Sequence, residues 1–449
     1  MKKLFVLIFT LFISTSIFSQ SELTLEKAIS IALQRNSNLI KGQNNLETNK
    51  SQLKSAYGDL LPNLNVRGSW SWNRIDDDGG TTIIDFFGQQ TTKPATKSDS
   101  RNYNVSAGGN ITLFDGLSNY ANISQKRNDL NSARLSLEKL KQDIIYQTTN
   151  LYYTVLNAQE LVKVRKDNLK FHKKLLEQIQ ARNKLGSVPI ADVYTQQVQL
   201  GNAQLLLIQA QNDYENTKSN ILNYLALDVL EEYTFERPSE ELKNNSSELP
   251  FSEFKNIKEM VKTALDNRKD YQSQKLSLAS AENGLTIAKG GLFPSLSGNY
   301  SFSTQSGAPK DLLKRRVWNV GLSLNIPIFS NWNTENQIQF AKVRIDNAAE
   351  DLTVLERQIK IEIKQGYLDL VAAKKQLDVS TANVRSAKEN RRINKERYSL
   401  GSGTILDVLQ ADKDYTQALN DRINAEYSYY KLKDKLINSL GKLEVKKYE

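Results

Sequence analysis

The chain is 449 residues long, 39% hydrophobic and 24% charged, with a formal net charge of +10 from 60 Lys and Arg against 50 Asp and Glu. It has no cysteine and one histidine, His172, which excludes disulfides, thiolate metal sites and thiol catalysis, and leaves no histidine pair for a metal. Glycine and proline number only 21 and 8, so long elements joined by few turns are expected. Basic residues interleave with acidic ones, as at Lys163, Arg165, Lys166 and Asp167, so the positive charge reads as a solvated helix surface and no nucleic-acid partner is expected.

The N-terminus reads as an export signal over residues 1–19. Lys2 and Lys3 precede an apolar stretch from Leu4 to Phe18, with cleavage expected after Ser19. That stretch is shorter than the ~20 residues of a membrane helix, and no later run reaches that length. A helical pattern around Ala32-Leu33 follows and must end before Pro62.

Two strands come next, at about 62–73 and 102–114. Leu64, Val66, Gly68, Trp70 and Trp72 alternate with Asn, Arg and Ser, and Tyr103, Val105, Ala107, Gly109, Ile111 and Leu113 alternate with Asn, Ser, Gly and Thr. The polar face suits a water-filled lumen, and the segment length suits a tilted membrane strand. Residues 74–101, with Asp76, Asp77 and Asp78, read as a solvated hairpin loop; a cation site there is the weaker reading.

No proline falls between 95 and 188, and a helix is expected from about 116 to 184. Its seam runs Leu137, Leu140, Ile144, Thr148, Leu151, Val155, Ala158, Val162, with the three–four spacing of coiled-coil packing. His172, among Lys170, Lys173 and Lys174, is expected to be exposed and inert. A turn at 185–189 (Leu185, Gly186, Ser187, Val188, Pro189) reverses the chain into a second helix carrying Asp192 near its start. A Glu/Pro/Asn/Ser-rich linker is expected over 229–252.

The plan then repeats. Leu61-Pro62-Asn63-Leu64 matches Phe293-Pro294-Ser295-Leu296 at an offset of 232, and Leu185-Gly186-Ser187 matches Leu400-Gly401-Ser402 at 215. Repeat one is placed at 20–228 and repeat two at 253–449. The second copy has strands at about 294–304 (Leu296, Gly298, Tyr300, Phe302) and 317–328 (Trp318, Val320, Leu322, Leu324, Ile326), and a turn at 400–404. Thr404 with Asp407 three residues on reads as a capping box. Trp70, Trp72, Tyr103, Tyr300, Phe302 and Trp318 form the expected membrane aromatic girdle, with Trp332 just past a strand. Four strands per chain cannot close a lumen alone, so copies must associate.

This order, and above all the segments Arg182–Val193 and Arg397–Val408, resembles the TolC-type outer-membrane efflux and export channel family. The resemblance implies a mainly helical fold with a β-barrel part, three copies giving one 12-stranded membrane barrel. A long periplasmic α-helical coiled-coil barrel would continue it. It implies a passive exit duct in the outer membrane of a Gram-negative bacterium, with no enzyme activity and no cofactor. Partners would be a periplasmic adaptor protein, an inner-membrane pump of the resistance-nodulation-division, ATP-binding-cassette or major-facilitator class, and outer-membrane lipid. By the same resemblance Leu185, Gly186, Ser187, Leu400, Gly401 and Ser402 are adaptor-contact tips, and Asp192, Tyr398, Asp407 and Gln410 form a periplasmic gate. Asp407 would give a ring of three carboxylates. Gly403 stands where an arginine completes the gate's clasp in the best-known member, and Gln410 where a second aspartate ring would be. The residues alone also admit a periplasmic coiled-coil adaptor or scaffold without a barrel.

Overall fold

The computed structural model describes residues 21–80, 82–92, 94–237, 256–443 and 445. The expected export signal and residues 238–252 of the expected linker lie outside these. The chain divides into two compact units, one of residues 1–42, 137–268 and 357–449, the other of 43–136 and 269–356.

The second unit contains the main sheet. Strands β2 (Asn65–Asp77), β5 (Thr96–Phe114), β7 (Ser295–Ser306) and β8 (Val317–Asn325) lie in the order β2-β5-β7-β8, antiparallel throughout. Three of the four differ from the sequence expectation by three residues or more at one end or both. β2 and β5 run on past 73 and begin before 102, so the loop expected over 74–101 is partly sheet, because ladder hydrogen bonds need no apolar residues. Within it β3 (Thr82–Ile84) and β4 (Gln90–Thr92) make a small hairpin. β8 stops at Asn325 and not at 328, just before Pro327, which has no N–H to give a ladder. The apolar face is open to the surroundings: Val66, Trp70, Trp318, Val320, Leu322 and Leu324 are all exposed.

The first unit holds the helical core. Here β1 (Ser21–Leu23) pairs in parallel with β6 (Tyr233–Phe235). The pair went unforeseen, since three-residue strands carry no readable period, and β6 falls where a linker was expected. The Tyr152 hydroxyl lies 2.8 Å from the Leu23 carbonyl oxygen and 2.7 Å from that of Glu236, sharing its one proton between the end of β1 and the residue after β6. Leu23, Ile29, Tyr152, Leu156, Ile221 and Leu225 are fully buried around it.

Eight α-helices are described. α1 (Leu25–Arg35) and α2 (Ser37–Gly58) meet at Asn36 (φ −63°, ψ 122°). α5 (Ile257–Asn267) and α6 (Lys269–Gly290) meet at Arg268 (φ −64°, ψ 123°). The same extended break thus recurs at the offset of 232 seen in the sequence (268 − 36). The long helices α3 (Ser118–Lys184) and α7 (Asn333–Ser399) have 67 residues each, and their hairpin partners α4 (Ile190–Tyr224) and α8 (Ile405–Ser439) have 35 each. At 1.5 Å per residue the long ones reach about 100 Å. No described helix is long and apolar enough to cross a membrane.

Candidate gate and docking tips

Both hairpin turns lie in the first unit and share one backbone design. After α3, Gly186 N–H donates to the Asn183 carbonyl (2.9 Å) and Ser187 N–H to that of Arg182 (2.9 Å); after α7, Gly401 donates to Tyr398 (3.1 Å) and Ser402 to Arg397 (2.9 Å). These paired bonds satisfy the last helical carbonyls and require the residue between to be left-handed. Gly186 and Gly401 supply that, at φ +71° and +75°, with open space where a Cβ would stand. Leu185 and Leu400 are 81% and 82% exposed at the tips.

The helices that leave the turns start differently. Pro189, the last residue of the expected turn, precedes α4 in extended conformation as its cap residue and gives no side-chain cap. Thr404 caps α8 in full: its Oγ1 accepts from Asp407 N–H (3.2 Å), and Asp407 Oδ2 accepts from Thr404 N–H (3.0 Å). The Thr404 backbone bond, with its side-chain bond next, holds the Asp407 carboxyl below the ordinary carboxylate range. Asp407 is exposed and lines an open groove of about 950 Å3 with Gln410, Lys413, Gln199 and Asn202. Gln410 does not bond across the groove; its Nε2 donates to Asp414 Oδ1 one turn along the same helix (2.8 Å).

Tyr398 is 8% exposed, packed with Leu175, Ile179, Val193, Ile405 and Val408. Arg182 ties the two hairpins there, donating Nη1 to the Tyr398 carbonyl (3.0 Å) with its guanidinium 5.1 Å from the ring centre. The Tyr398 hydroxyl has no hydrogen-bond partner among the described residues. Burial, reinforced by the nearby Asp192 carboxylate, raises its phenol above the ordinary value, against the pull of Arg182. Asp192 and Tyr398 are therefore neighbours without a bond.

Deeper between the hairpins lies a polar cluster that sequence reasoning missed, and it overturns the expectation for His172. The histidine is 7% exposed, not solvated. Its Nε2 is 3.3 Å from Oδ2 of Asp412, and Gln196 Nε2 sits 3.1 Å from its Nδ1 and 2.9 Å from its carbonyl. Asp412, 1% exposed, also accepts from Asn168 (2.8 Å) and from Arg391 Nη1 (2.9 Å), while Asn168 reaches Thr416 (3.1 Å). Continuing the α3 seam past Val162 in steps of three or four, through Arg165, lands on Asn168, His172, Leu175 and Ile179. That seam position, and not the flanking lysines, was the usable signal.

In the second unit the girdle residues pair across strands. Trp70 faces Tyr103 (ring centres 6.4 Å apart) and Phe302 faces Trp318 (4.7 Å). The two pairs are staggered, since Phe302 lies opposite Ala107 on β5, four residues from Tyr103. Trp72 donates its indole N–H to Asp99, and the Tyr300 hydroxyl donates to the Asn63 carbonyl. Beyond the other end of β8, Trp332 packs edge-on against Phe329, both exposed. Among the described residues no group of three or more His, Asp or Glu side chains is placed to hold a metal ion.

Known proteins share this architecture. The family model for outer membrane efflux protein matches residues 28–226 and 260–442. Outer membrane protein TolC of Salmonella enteritidis is 22% identical over 339 residues, 74% of this chain and 66% of its own length. TolC of Vibrio cholerae is 23% identical, covering 84% of this chain and 81% of the relative. The CmeC outer membrane channel of Campylobacter jejuni superposes with a TM-score of 0.77 at 20% identity, covering 94% of this chain and 88% of that one. CusC gives 0.77 at 15% identity, covering 93% and 92%. With a family model matched along most of both repeats, the chain belongs to the outer membrane efflux protein family.

Proposed function

We propose that the protein is the outer-membrane exit duct of a tripartite efflux or secretion system, acting as a passive homotrimer. The observation that carries this reading is the four-stranded sheet with an exposed apolar face and two unpaired edges, β2 and β8. Hydrocarbon accommodates the face, and only closure with other copies satisfies the edges. The helical hairpins supply matching seams. Tyr194, Val198, Leu205 and Ile208 leave an exposed apolar stripe on α4, and Ile361, Leu368 and Val379 leave another on α7. Two unlike stripes suit a ring of copies better than a back-to-back dimer.

In this reading Leu185, Gly186, Ser187, Leu400, Gly401 and Ser402 meet a periplasmic adaptor, and the energy comes from an inner-membrane pump of the resistance-nodulation-division, ATP-binding-cassette or major-facilitator class. Three copies of Asp407 narrow the closed end as one carboxylate ring, with Gln410 adding no second. The division into a signal (1–19), repeat one (20–228), linker (229–252) and repeat two (253–449) goes with it. A periplasmic adaptor or scaffold without a barrel leaves the exposed apolar sheet face unexplained. Reconstitution into planar bilayers tests the reading: discrete conductance steps are expected, larger and less cation-selective for Asp407→Ala. No conductance, or identical conductance for the variant, contradicts the duct or its gate respectively.

A further inference from the structure

The two free edges of the sheet differ in charge at one end. β2 starts at Asn65, on the side from which the chain arrives from α2, and β8 ends at Asn325, on the side from which it leaves for α7. Because every neighbour in the order β2-β5-β7-β8 is antiparallel, β8 of one copy set beside β2 of another extends the same alternation. If pairing begins at those ends, the nine residues of β8 lie against Asn65 to Asn73. Just beyond them that register sets Arg316 against Arg74, Arg315 against Ile75 and Lys314 against Asp76, so Arg316 and Arg315 lie diagonal to Asp76 and Asp77, within reach of long side chains.

Part of this charge is already engaged inside the chain. Lys314 pairs with Asp311 (2.7 Å), Arg74 with Asp76 (3.0 Å), and Asp77 accepts from Gly79 N–H (3.1 Å). Arg315, Arg316 and Asp78 are exposed, and no ion pair is found for them among the described residues. We propose that these edges are charge-keyed to a second copy of this chain: Arg315 and Arg316 of one copy pair with the Asp76–Asp78 segment of the next. The proposal rests on the homotrimeric barrel reading. It adds a selection rule for copies inserted the same way up, because β8 meeting β2 brings opposite charges together, whereas β2 meeting β2 or β8 meeting β8 would then run parallel and bring like charges together. A ring is then favoured over a two-fold dimer of sheets, which would leave edges open. Arginine suits the role, since its guanidinium binds a carboxylate in two-point fashion.

Charge reversal tests it in the full chain, with the temperature at which the unboiled outer-membrane oligomer dissociates on a gel as the readout. Arg315→Asp with Arg316→Asp, and separately Asp77→Arg with Asp78→Arg, are each expected to lower that temperature by at least about 5 °C, less so at high salt. The chain carrying all four reversals is expected to recover most of the loss, a rescue that a folding defect cannot produce. Unchanged dissociation in both reversals overturns the proposal. So does a loss confined to the arginine variant with no rescue, which would assign those arginines to anionic lipid headgroups. Absence of any oligomer from the parent's outer-membrane fraction instead contradicts the barrel reading itself.

Discussion

Asp412 Oδ2 lies 3.3 Å from His172 Nε2, so the chain's one histidine touches a carboxylate that is 1% exposed. With the Gln196 amide donating toward Nδ1, Nε2 is the ring nitrogen left to donate to Asp412. Asp412 thereby joins the hairpin of α3 and α4 to that of α7 and α8, through His172 and Asn168 on one side and Arg391 on the other. Removing a buried partner leaves the others uncompensated, at a cost of about 3 kcal/mol. Asp412→Ala is accordingly expected to speed amide exchange around residues 405–416 by about 100-fold. The double variant with His172→Ala should lose less than the sum of the two. Unaltered exchange in Asp412→Ala would show the cluster to be passive filling.

Thr404 and Asp407 close a reciprocal cap at the start of α8, and Thr404→Ala is expected to cost that helix end about 1 kcal/mol. Because the bond lowers the Asp407 pKa in the folded state, its stabilisation is present above the ordinary carboxylate range and disappears as pH falls through the folded value. The check is exchange of the 405–408 amides between pH 6 and pH 3. The parent should lose protection on acidification, and Asp407→Asn should start lower and change less.

Asp434 behaves in the opposite sense. Burial pushes its carboxyl up to about 7, against the opposing pull of Lys433. A raised folded pKa means stability that is whole below the ordinary carboxylate range and declines as pH climbs toward about 7. Asp434→Asn mimics the protonated form, so its melting temperature should exceed the parent's at pH 8, with the gap closing near pH 4. A variant less stable than the parent at pH 8 would mean that the charged form has a partner in the assembly.

Gly186 and Gly401 are left-handed for backbone reasons, since nothing crowds either Cβ position. Alanine at each is expected to cost about 1–2 kcal/mol locally, near-additively in the pair. Leucine at either site should abolish efflux while oligomers still assemble, if the tips dock an adaptor. Full efflux by both leucine variants would move docking elsewhere.

How much of this was readable follows the strength of each local signal. The tip turns were legible because a glycine between Leu and Ser, followed by a helix start, has few other solutions. The capping box at Thr404 was legible for the same reason. The apolar alternation revealed β7 nearly to its ends. It fell short on β2 and β5, where Arg74 to Asp77 and Thr96 to Arg101 continue the ladder with Ile75, out of phase with the alternation at 64–72, as the one apolar residue. His172 was misread because local composition, the lysines around it, was weighed above seam position. Asp412 escaped notice since a carboxylate on a seam looks like a surface charge until Arg391 and His172, far away in sequence, are brought against it. The β1–β6 pair was beyond sequence reasoning altogether, its three-residue strands being held by Tyr152 from another element.

The central claim is a trimeric barrel in the outer membrane, and gel mobility of the extracted outer-membrane fraction, unboiled against boiled and with cross-linking, addresses it most directly. The account predicts an unboiled species near three times the mass of the chain without its signal, each chain being somewhat below the 50.9 kDa of the full sequence, that collapses to one chain on boiling. A monomer or dimer recovered without detergent from the periplasmic fraction would contradict it.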